Sequence, residues 1–253
     1  MEDGGIGDIL RLPEECLARA IALTSPRDAC RSELVSAAFL AAAASDAVWE
    51  RFLPKDYLEI LSRAVKPINF AGKKHLYFRL CDYILIDNGK MSFVLDKETG
   101  AKCFMLAARE LTIVWGENLD YWQWRHLPES RFCEVAELVN VCWLEIYGKI
   151  DSRILTKKAN YAAYLVFKVA YFGSIGLSYP SQVLLKIGSY ISSLSVSLSK
   201  MRQDGWKEVM IGEFYSGDGD DGEVELSLME TNGGHWKSGL IVQGIEIRVK
   251  NTF

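Results

Sequence analysis

The chain has 253 residues, 49% hydrophobic and 25% charged, which excludes a disordered polymer. This is more than one ordinary core needs, so two domains are expected. A net charge of -4, with no run of Lys and Arg to offset it, excludes nucleic acid and anionic membrane as general partners. No apolar run reaches about eighteen residues. The N-terminal MEDGGIGD is acidic rather than basic and apolar, and no N-x-S/T sequon occurs. The chain is therefore expected in the cytoplasm, with the nucleus as the alternative. Six cysteines (Cys16, Cys30, Cys81, Cys103, Cys133 and Cys142) include no C-x-x-C pair, and there are only three histidines. No zinc site, disulfide framework or cofactor is indicated, and the thiols read as reduced and buried.

Leu12-Pro13 opens the first predicted helix, where the missing proline N–H costs nothing. Cys16, Leu17, Ala20 and Ile21 then recur as one apolar stripe. Ser25-Pro26 starts a second helix with Ser25 as N-cap, and SAAFLAAAA is strongly helix-forming. Ser45 or Asp46 caps a last helix carrying Val48, Trp49, Phe52 and Leu53, and Pro54 ends it. Four short helices in about 45 residues make a marginal core, and a partner is expected to steady the apolar surface left over.

The order LPEECLARAIALTSPRDACRSELVSAAFLAAAASDAVWERFLP resembles an F-box, the helical module by which substrate receptors dock onto the Skp-type adaptor of a cullin-RING ubiquitin ligase. The opening Leu-Pro, the V-S-x-x-F and the terminal Trp carry the resemblance. It implies adaptor contacts at Leu12, Pro13, Cys16, Leu17, Ile21 and Trp49, with Val35, Ser36 and Phe39 in the later part of the module, which spans 8–54. The alternative is a helical cap whose stripe packs on the chain's own C-terminal domain.

Residues 55–90 read as a partly helical connector: DYLEILSRA and KKHLYFRLCDYIL have helical period, and KPINFAGKK between them reads as loop. From Met91 the period changes to two. MSFVLD and AKCFMLA flank Lys97-Glu98-Thr99-Gly100 as a hairpin. LTIVW, VCWLEIYGKI, YAAYLVFKVAY, WKEVMIGEFY, EVELSLME and GLIVQGIEIRVK follow as strands. In the last, Ile245, Ile247 and Val249 alternate with Glu246, Arg248 and Lys250, which predicts a half-buried antiparallel strand. The fold class is thus α+β, with a small all-α module followed by an antiparallel β-sandwich over 91–253. The serine-rich stretch from Gly173 to Gln203 reads as a long loop.

Within LTIVWGENLDYWQW, three of the seven tryptophans fall in ten residues. If LTIVW is a strand, Leu111, Ile113 and Trp115 share a face, and Trp115 ends the strand at the Gly116-Glu117-Asn118 turn. Flat aromatic faces beside polar loop groups suit a ligand with apolar C–H faces and a hydroxyl rim, such as a sugar ring. Trp124 and Trp143 are expected in the core. For Trp115 and Trp122, composition leaves core and ligand face equally open.

Residues 91–253 closely resemble the Nictaba-type phloem lectins in the ordered blocks AARELTIVWGENLDYWQW, EVAELVNVCWLEIYGKI, YAAYLVFKVAY, DGWKEVMIGEF and DGEVELSLMETNGGHWKSGLIVQGIEIRVK. Together with the F-box, the resemblance is to the phloem-lectin type F-box proteins of plants. It implies a jelly-roll-like sandwich, binding of N-acetylglucosamine oligomers or N-glycan cores, and a carbohydrate site at Trp115, Trp122, Glu223 and Glu230. The lysine-rich nuclear signal of some members is missing from Gly173–Gln203. The period itself gives Glu230 the parity of Val224, Leu226 and Leu228, toward the core unless the strand bulges. Asn232, His235 and Trp236 follow in what reads as a turn, with membership of the carbohydrate site as the alternative.

Gly217, Gly219 and Gly222 satisfy G-x-G-x-x-G, but the aspartates among them repel a pyrophosphate and no strand-to-helix context follows. Counted as a calcium loop from Asp218, Glu223 falls where glycine is needed. The expected function is that of a non-catalytic substrate receptor of a cullin-RING ligase. Its expected partners are a Skp-type adaptor and a glycan or glycoprotein bearing N-acetylglucosamine. The alternatives are a carbohydrate-active enzyme using Glu223 and Glu230 as a carboxylate pair, and an F-box receptor that binds protein without sugar.

Overall fold

The computed structural model describes residues 9, 12–170, 173–198, 205–218 and 222–250; the first eight residues and the acidic loop at 219–221 lie outside them. The described residues form six α-helices and thirteen strands. They divide into two compact units, Met1–Ile84 with Val94–Ala101, and Leu85–Phe93 with Lys102–Phe253. Among the described residues no helix is long and apolar enough to cross a membrane.

In the first unit, α1 (Glu14–Ile21), α2 (Pro26–Ser32), α3 (Ala37–Ala44) and α4 (Asp46–Phe52) follow in quick succession. Ser25 accepts from the Asp28 N–H, Ser36 from Phe39 and Ser45 from Ala47, so three helix starts have side-chain caps worth about 1 kcal/mol each. α1 buries Leu17, Ala18 and Ile21, whereas Cys16 and Ala20 of the expected stripe are exposed. The buried face is turned slightly from the one the sequence marks.

Trp49 explains why α6 (Lys73–Leu80) belongs to the same unit, and α5 (Tyr57–Arg63) joins it through Tyr57, whose ring centroid lies 4.4 Å from the Lys73 ammonium. The Trp49 ring meets Phe52, Tyr77 and Phe78 at centroid separations of 5.6, 5.1 and 5.3 Å, and two of these neighbours come from α6. The Trp49 indole N–H donates to the Ala43 carbonyl at 2.7 Å, which meets the polar need of a fully buried ring. Tyr77 in turn donates to the Asp96 and Lys97 carbonyls at 3.2 and 3.3 Å. Burial first, and neighbouring Cys81 and Asp96 after it, push its phenol well above the ordinary value. Residues read as a connector thus complete a core that α1–α4 leave unfinished.

The second unit holds two antiparallel sheets. One runs β1 (Ile84–Ile86), β2 (Met91–Leu95), β3 (Lys102–Ala107), β13 (Leu240–Val249), β6 (Val135–Leu138), β5 (Trp122–Arg125). β8 (Ala159–Val169) joins it by pairing with both β13 and β11 (Lys207–Ser216). The other runs β10 (Tyr190–Val196), β9 (Ser181–Ile187), β12 (Glu223–Glu230), β7 (Leu144–Asp151), β4 (Thr112–Ile113). The sheets pack face to face: a Cβ on Gly148 of β7 would lie 2.9 Å from the Ile245 side chain of β13. Ile146, Ile150, Val183, Leu185, Val224, Leu226 and Leu228 are buried on one sheet, and Phe104, Leu106, Leu165, Ile245 and Ile247 on the other. Each contributes on the order of 1.5–3 kcal/mol of burial.

Several expectations are corrected. LTIVW is a strand only at Thr112–Ile113, and Trp115 sits in the turn beyond it. The expected long loop from Gly173 to Gln203 contains β9 and β10; in β9 Val183 and Leu185 are buried and alternate with exposed Gln182, a signal that the serines dilute. β13 is buried on both faces rather than half-buried. It is flanked by strands on both sides, and Glu246 on its polar face is covered, accepting from Arg131 at 2.7 Å and Arg248 at 2.8 Å. Of the cysteines only Cys103 is buried, while Cys16 and Cys133 are exposed.

The pairing of β13 with β8 shifts register between Val242 and Gly244. A Cβ at Gly244 would lie 1.9 Å from the Leu106 carbonyl oxygen, so only glycine fits this backbone approach. Gly244→Ala is expected to cost about 3 kcal/mol or more, a drop of roughly 6–12 °C in Tm by circular dichroism. An unchanged melting curve would contradict this packing.

Candidate functional site

Four loops meet at the C-terminal end of β12 and expose aromatic rings there. Backbone hydrogen bonds assemble them: Val114 N–H donates to Glu145 O at 3.1 Å and Val139 N–H to Tyr121 O at 2.9 Å. Val141 and Lys237 exchange bonds of 2.9 and 2.7 Å, and Ile175 bridges Ser238. Glu230 pairs with Leu144 at this same end. Trp115, Trp143 and Trp236 are 57%, 48% and 54% exposed here. Tyr179 stacks on His235 with centroids 3.9 Å apart and planes 2° off parallel. Gly176 has φ +71, and a Cβ on it would lie 2.2 Å from the Trp236 carbonyl, so this loop closes only with glycine there.

Trp115 has the most unusual setting. Its backbone is left-handed, φ +63, a conformation that costs a bulky residue about 1 kcal/mol or more and is retained where the surroundings enforce it. Gly116 N–H to Ile113 O and Asn118 N–H to Trp115 O, both 2.9 Å, hold the turn. Tyr121 meets the Trp115 ring edge-on at 5.9 Å. From below, the Trp124 indole donates to Gly116 O at 3.0 Å, and the Arg109 guanidinium lies 3.6 Å above the Trp124 ring. Trp124 is half-buried and supports the turn, where a core position was expected. Arg109 also donates to Glu134 at 2.9 Å, which holds that carboxyl below its usual range. Beside Trp115 lies an open cleft of about 640 Å³ lined by Ile113, Gly116, Glu117, Asn118 and Leu119.

The four residues assigned by resemblance are not brought together. Trp122 is 1% exposed, because β5 pairs with β6 and alternation turns Tyr121 outward and Trp122 inward. Its indole nitrogen has no partner among the described residues. Glu223 is exposed and pairs with Lys149 at 2.7 Å at the start of β12. Glu230, seven residues on and therefore about 23 Å away along the strand, is buried against Lys237. Lys237 also donates to the carbonyls of Cys142 at 2.8 Å and His235 at 2.6 Å. Glu230 therefore positions the aromatic loop through Lys237 from beneath the surface.

Residues 101–249 match the family model described as phloem protein 2. Over nearly its whole length the chain is also similar to Putative F-box protein PP2-B12 of Arabidopsis thaliana, 45% identical over 251 residues, with 96% of this chain and 98% of the relative covered. This chain belongs to the plant F-box proteins of the phloem protein 2 family. F-box protein PP2-B10 of Arabidopsis thaliana is 43% identical, with 93% and 92% of the two chains covered. F-box protein VBF of the same plant is 35% identical, with 96% and 100% covered.

In this phloem protein 2 chain, Leu12, Pro13 and Cys16 of the implied adaptor contacts are exposed, whereas Leu17, Ile21 and Trp49 lie in the core of the first unit. Val35, assigned to the later part of the module, is exposed, and Leu23, Leu34 and Leu40 add exposed aliphatic surface that the sequence reading did not assign. Trp143 was also missed as a surface residue, whereas Trp236 is exposed in the loop where the sequence placed it. For Trp143 a signal existed: buried residues of β7 are the even ones from Leu144, which gives Trp143 outward parity.

The two tryptophans are expected to exchange roles relative to the sequence reading. Trp122→Ala should cost about 3–5 kcal/mol and lower Tm clearly, whereas Trp143→Ala should change stability little. Glu230→Ala leaves buried Lys237 unpaired and should also cost about 3–5 kcal/mol. Thermal denaturation of the three variants tests this; loss of the fold in Trp143→Ala with a stable Trp122→Ala would reverse the assignment.

Proposed function

We propose that this chain is a substrate receptor of an SCF-type cullin-RING ubiquitin ligase. Its helical unit is the F-box that docks on a Skp-type adaptor, and its phloem protein 2 unit, a jelly-roll-like sandwich, binds glycans or glycoproteins bearing N-acetylglucosamine. The cytoplasm is the compartment proposed for it, with the nucleus as the alternative. The carrying observation is Trp115, a half-exposed ring held in a strained left-handed turn beside an open cleft. Such a ring stacks on the C–H face of a pyranose, and Glu117 and Asn118 lining the same cleft supply polar contacts to hydroxyl or acetamide groups.

Exposed Leu12, Leu23, Leu34, Val35 and Leu40, all within the first forty residues, support docking by the helical unit. The receptor acts by proximity, presenting a bound target to the ligase, and breaks no bond itself. Glycoside hydrolysis by Glu223 and Glu230 has no support from their positions, since a carboxylate pair works at about 5–9.5 Å. A second reading, a receptor that grips protein without sugar, is favoured by one observation: two of the four sugar residues implied by resemblance, Trp122 and Glu230, are buried.

Trp115→Ala is expected to keep its melting temperature and adaptor binding and to bind triacetylchitotriose about fivefold more weakly, measured by calorimetry. Undiminished sugar binding would remove Trp115 from the site, and no binding by the wild type at millimolar ligand would favour the protein-binding reading. Leu12→Ala with Pro13→Ala should abolish co-purification with the adaptor and leave sugar binding intact. Retained docking would sink the F-box assignment.

A further inference from the structure

A second cavity, of about 610 Å³, lies in the phloem protein 2 unit, within the roughly 300–1,000 Å³ typical of ligand sites. It is at the other end of β12 from Trp115: Ile187, one of its lining residues, pairs with Val224, whereas Trp115 follows Val114, which bonds to Glu145, the partner of Met229. Five residues of strand separate the two ends, roughly 15–20 Å.

The strands place both apolar faces and hydrogen-bonding groups in this groove. Tyr190 at the start of β10 and Tyr215 near the end of β11 are 51% and 55% exposed, and both line it. Between them Phe214 is buried and stacks on Tyr161 at 5.7 Å, giving a firm apolar base. Tyr215 pairs with Asn160 of β8, whose carbonyl accepts from the Lys250 N–H at 2.8 Å. The Lys250 ammonium contacts both oxygens of Glu213, at 2.7 and 2.9 Å. The rim therefore carries one positive and one negative charge that cancel, together with an amide that both donates and accepts. An ionic ligand gains nothing from that rim, whereas a neutral one with a flat apolar face and a hydroxyl or acetamide edge is matched on both counts.

We propose that this groove is a second sugar subsite, taking a neutral pyranose of N-acetylglucosamine type stacked on Tyr190 or Tyr215, with Asn160, Glu213 and Lys250 bonding its polar edge. The choice of that sugar rests on the glycan reading of the Trp115 end; the groove does not. One chain then holds two sugar rings at opposite ends of its sheets and gains avidity on a multivalent glycoprotein.

The test titrates the full chain with triacetylchitotriose by calorimetry, beside Trp115→Ala and the double variant Tyr190→Ala/Tyr215→Ala. Wild type is expected to show two sites. Each variant should keep one, with the affected site weakened about fivefold or more. A single wild-type site that the double variant keeps and Trp115→Ala loses overturns the groove alone. Binding that survives Trp115→Ala and disappears in the double variant upholds the groove while removing the Trp115 reading. Should the double variant unfold, the wild type still decides. The Asn160 side-chain amide signal, assigned through Asn160→Asp, is expected to shift on adding millimolar triacetylchitotriose, and an unmoved signal overturns the subsite.

Discussion

β13 is hydrogen-bonded along both edges, to β8 on one side and to β3 and β6 on the other, and the second unit depends on this shared strand. The sharing is possible because Gly244 lets the backbone come within reach of the Leu106 carbonyl, where any side chain would collide. At that point the pairing with β8 shifts register between Val242 and Gly244, a local bulge in an otherwise continuous antiparallel ladder. Upstream, Lys237 and Ser238 are bridged to Val141 and Ile175. The aromatic loop is therefore an extension of the central strand, which is why it can hold Trp236 outward on a rigid base.

The buried Glu230–Lys237 pair belongs to the same construction. Taking two charges out of water is costly, and a pair of this kind does not by itself make a protein more stable than apolar residues of similar volume. What Lys237 gains is geometry, because its ammonium also reaches the Cys142 and His235 carbonyls and so ties the end of β12, the approach to β7 and the aromatic loop to one point. A carboxylate that sits beneath the surface in this way acts on a ligand only through the loop it positions. Glu223 cannot replace it. Seven residues along a strand is an odd number, which sends the two side chains to opposite faces as well as opposite ends.

Both units expose aliphatic side chains, and the exposed tryptophans are all in the second. The helical unit presents aliphatic side chains, Leu12, Leu23, Leu34, Val35 and Leu40, which suit a protein partner that can cover apolar surface. The phloem protein 2 unit presents amphipathic rings, three tryptophans and a Tyr179–His235 stack at one end and two tyrosines at the other. Rings of this kind suit ligands that are apolar on one face and polar on the edge.

How much of this was legible in the chain follows from the range of each signal. Helix caps at Ser25 and Ser45 and the alternation of β7 and β12 are local, fixed by hydrogen bonds to nearby backbone and by the two-residue period, so the sequence alone determined an α+β chain with helices first and an antiparallel sheet protein after. The inward parity of Glu230 was legible for the same reason. Which tryptophan faces water was not. Trp115 and Trp122 lie in one short segment of uniform composition, and only the pairing of β5 with β6, against a turn that forces Trp115 into a left-handed backbone, sends the second ring inward and leaves the first outside. Nor could local pattern reveal that α6 completes the Trp49 core, or that Tyr190 and Tyr215, twenty-five residues apart, line one groove. Those contacts are made between segments distant in sequence, and their partners are chosen by the packing of the whole unit.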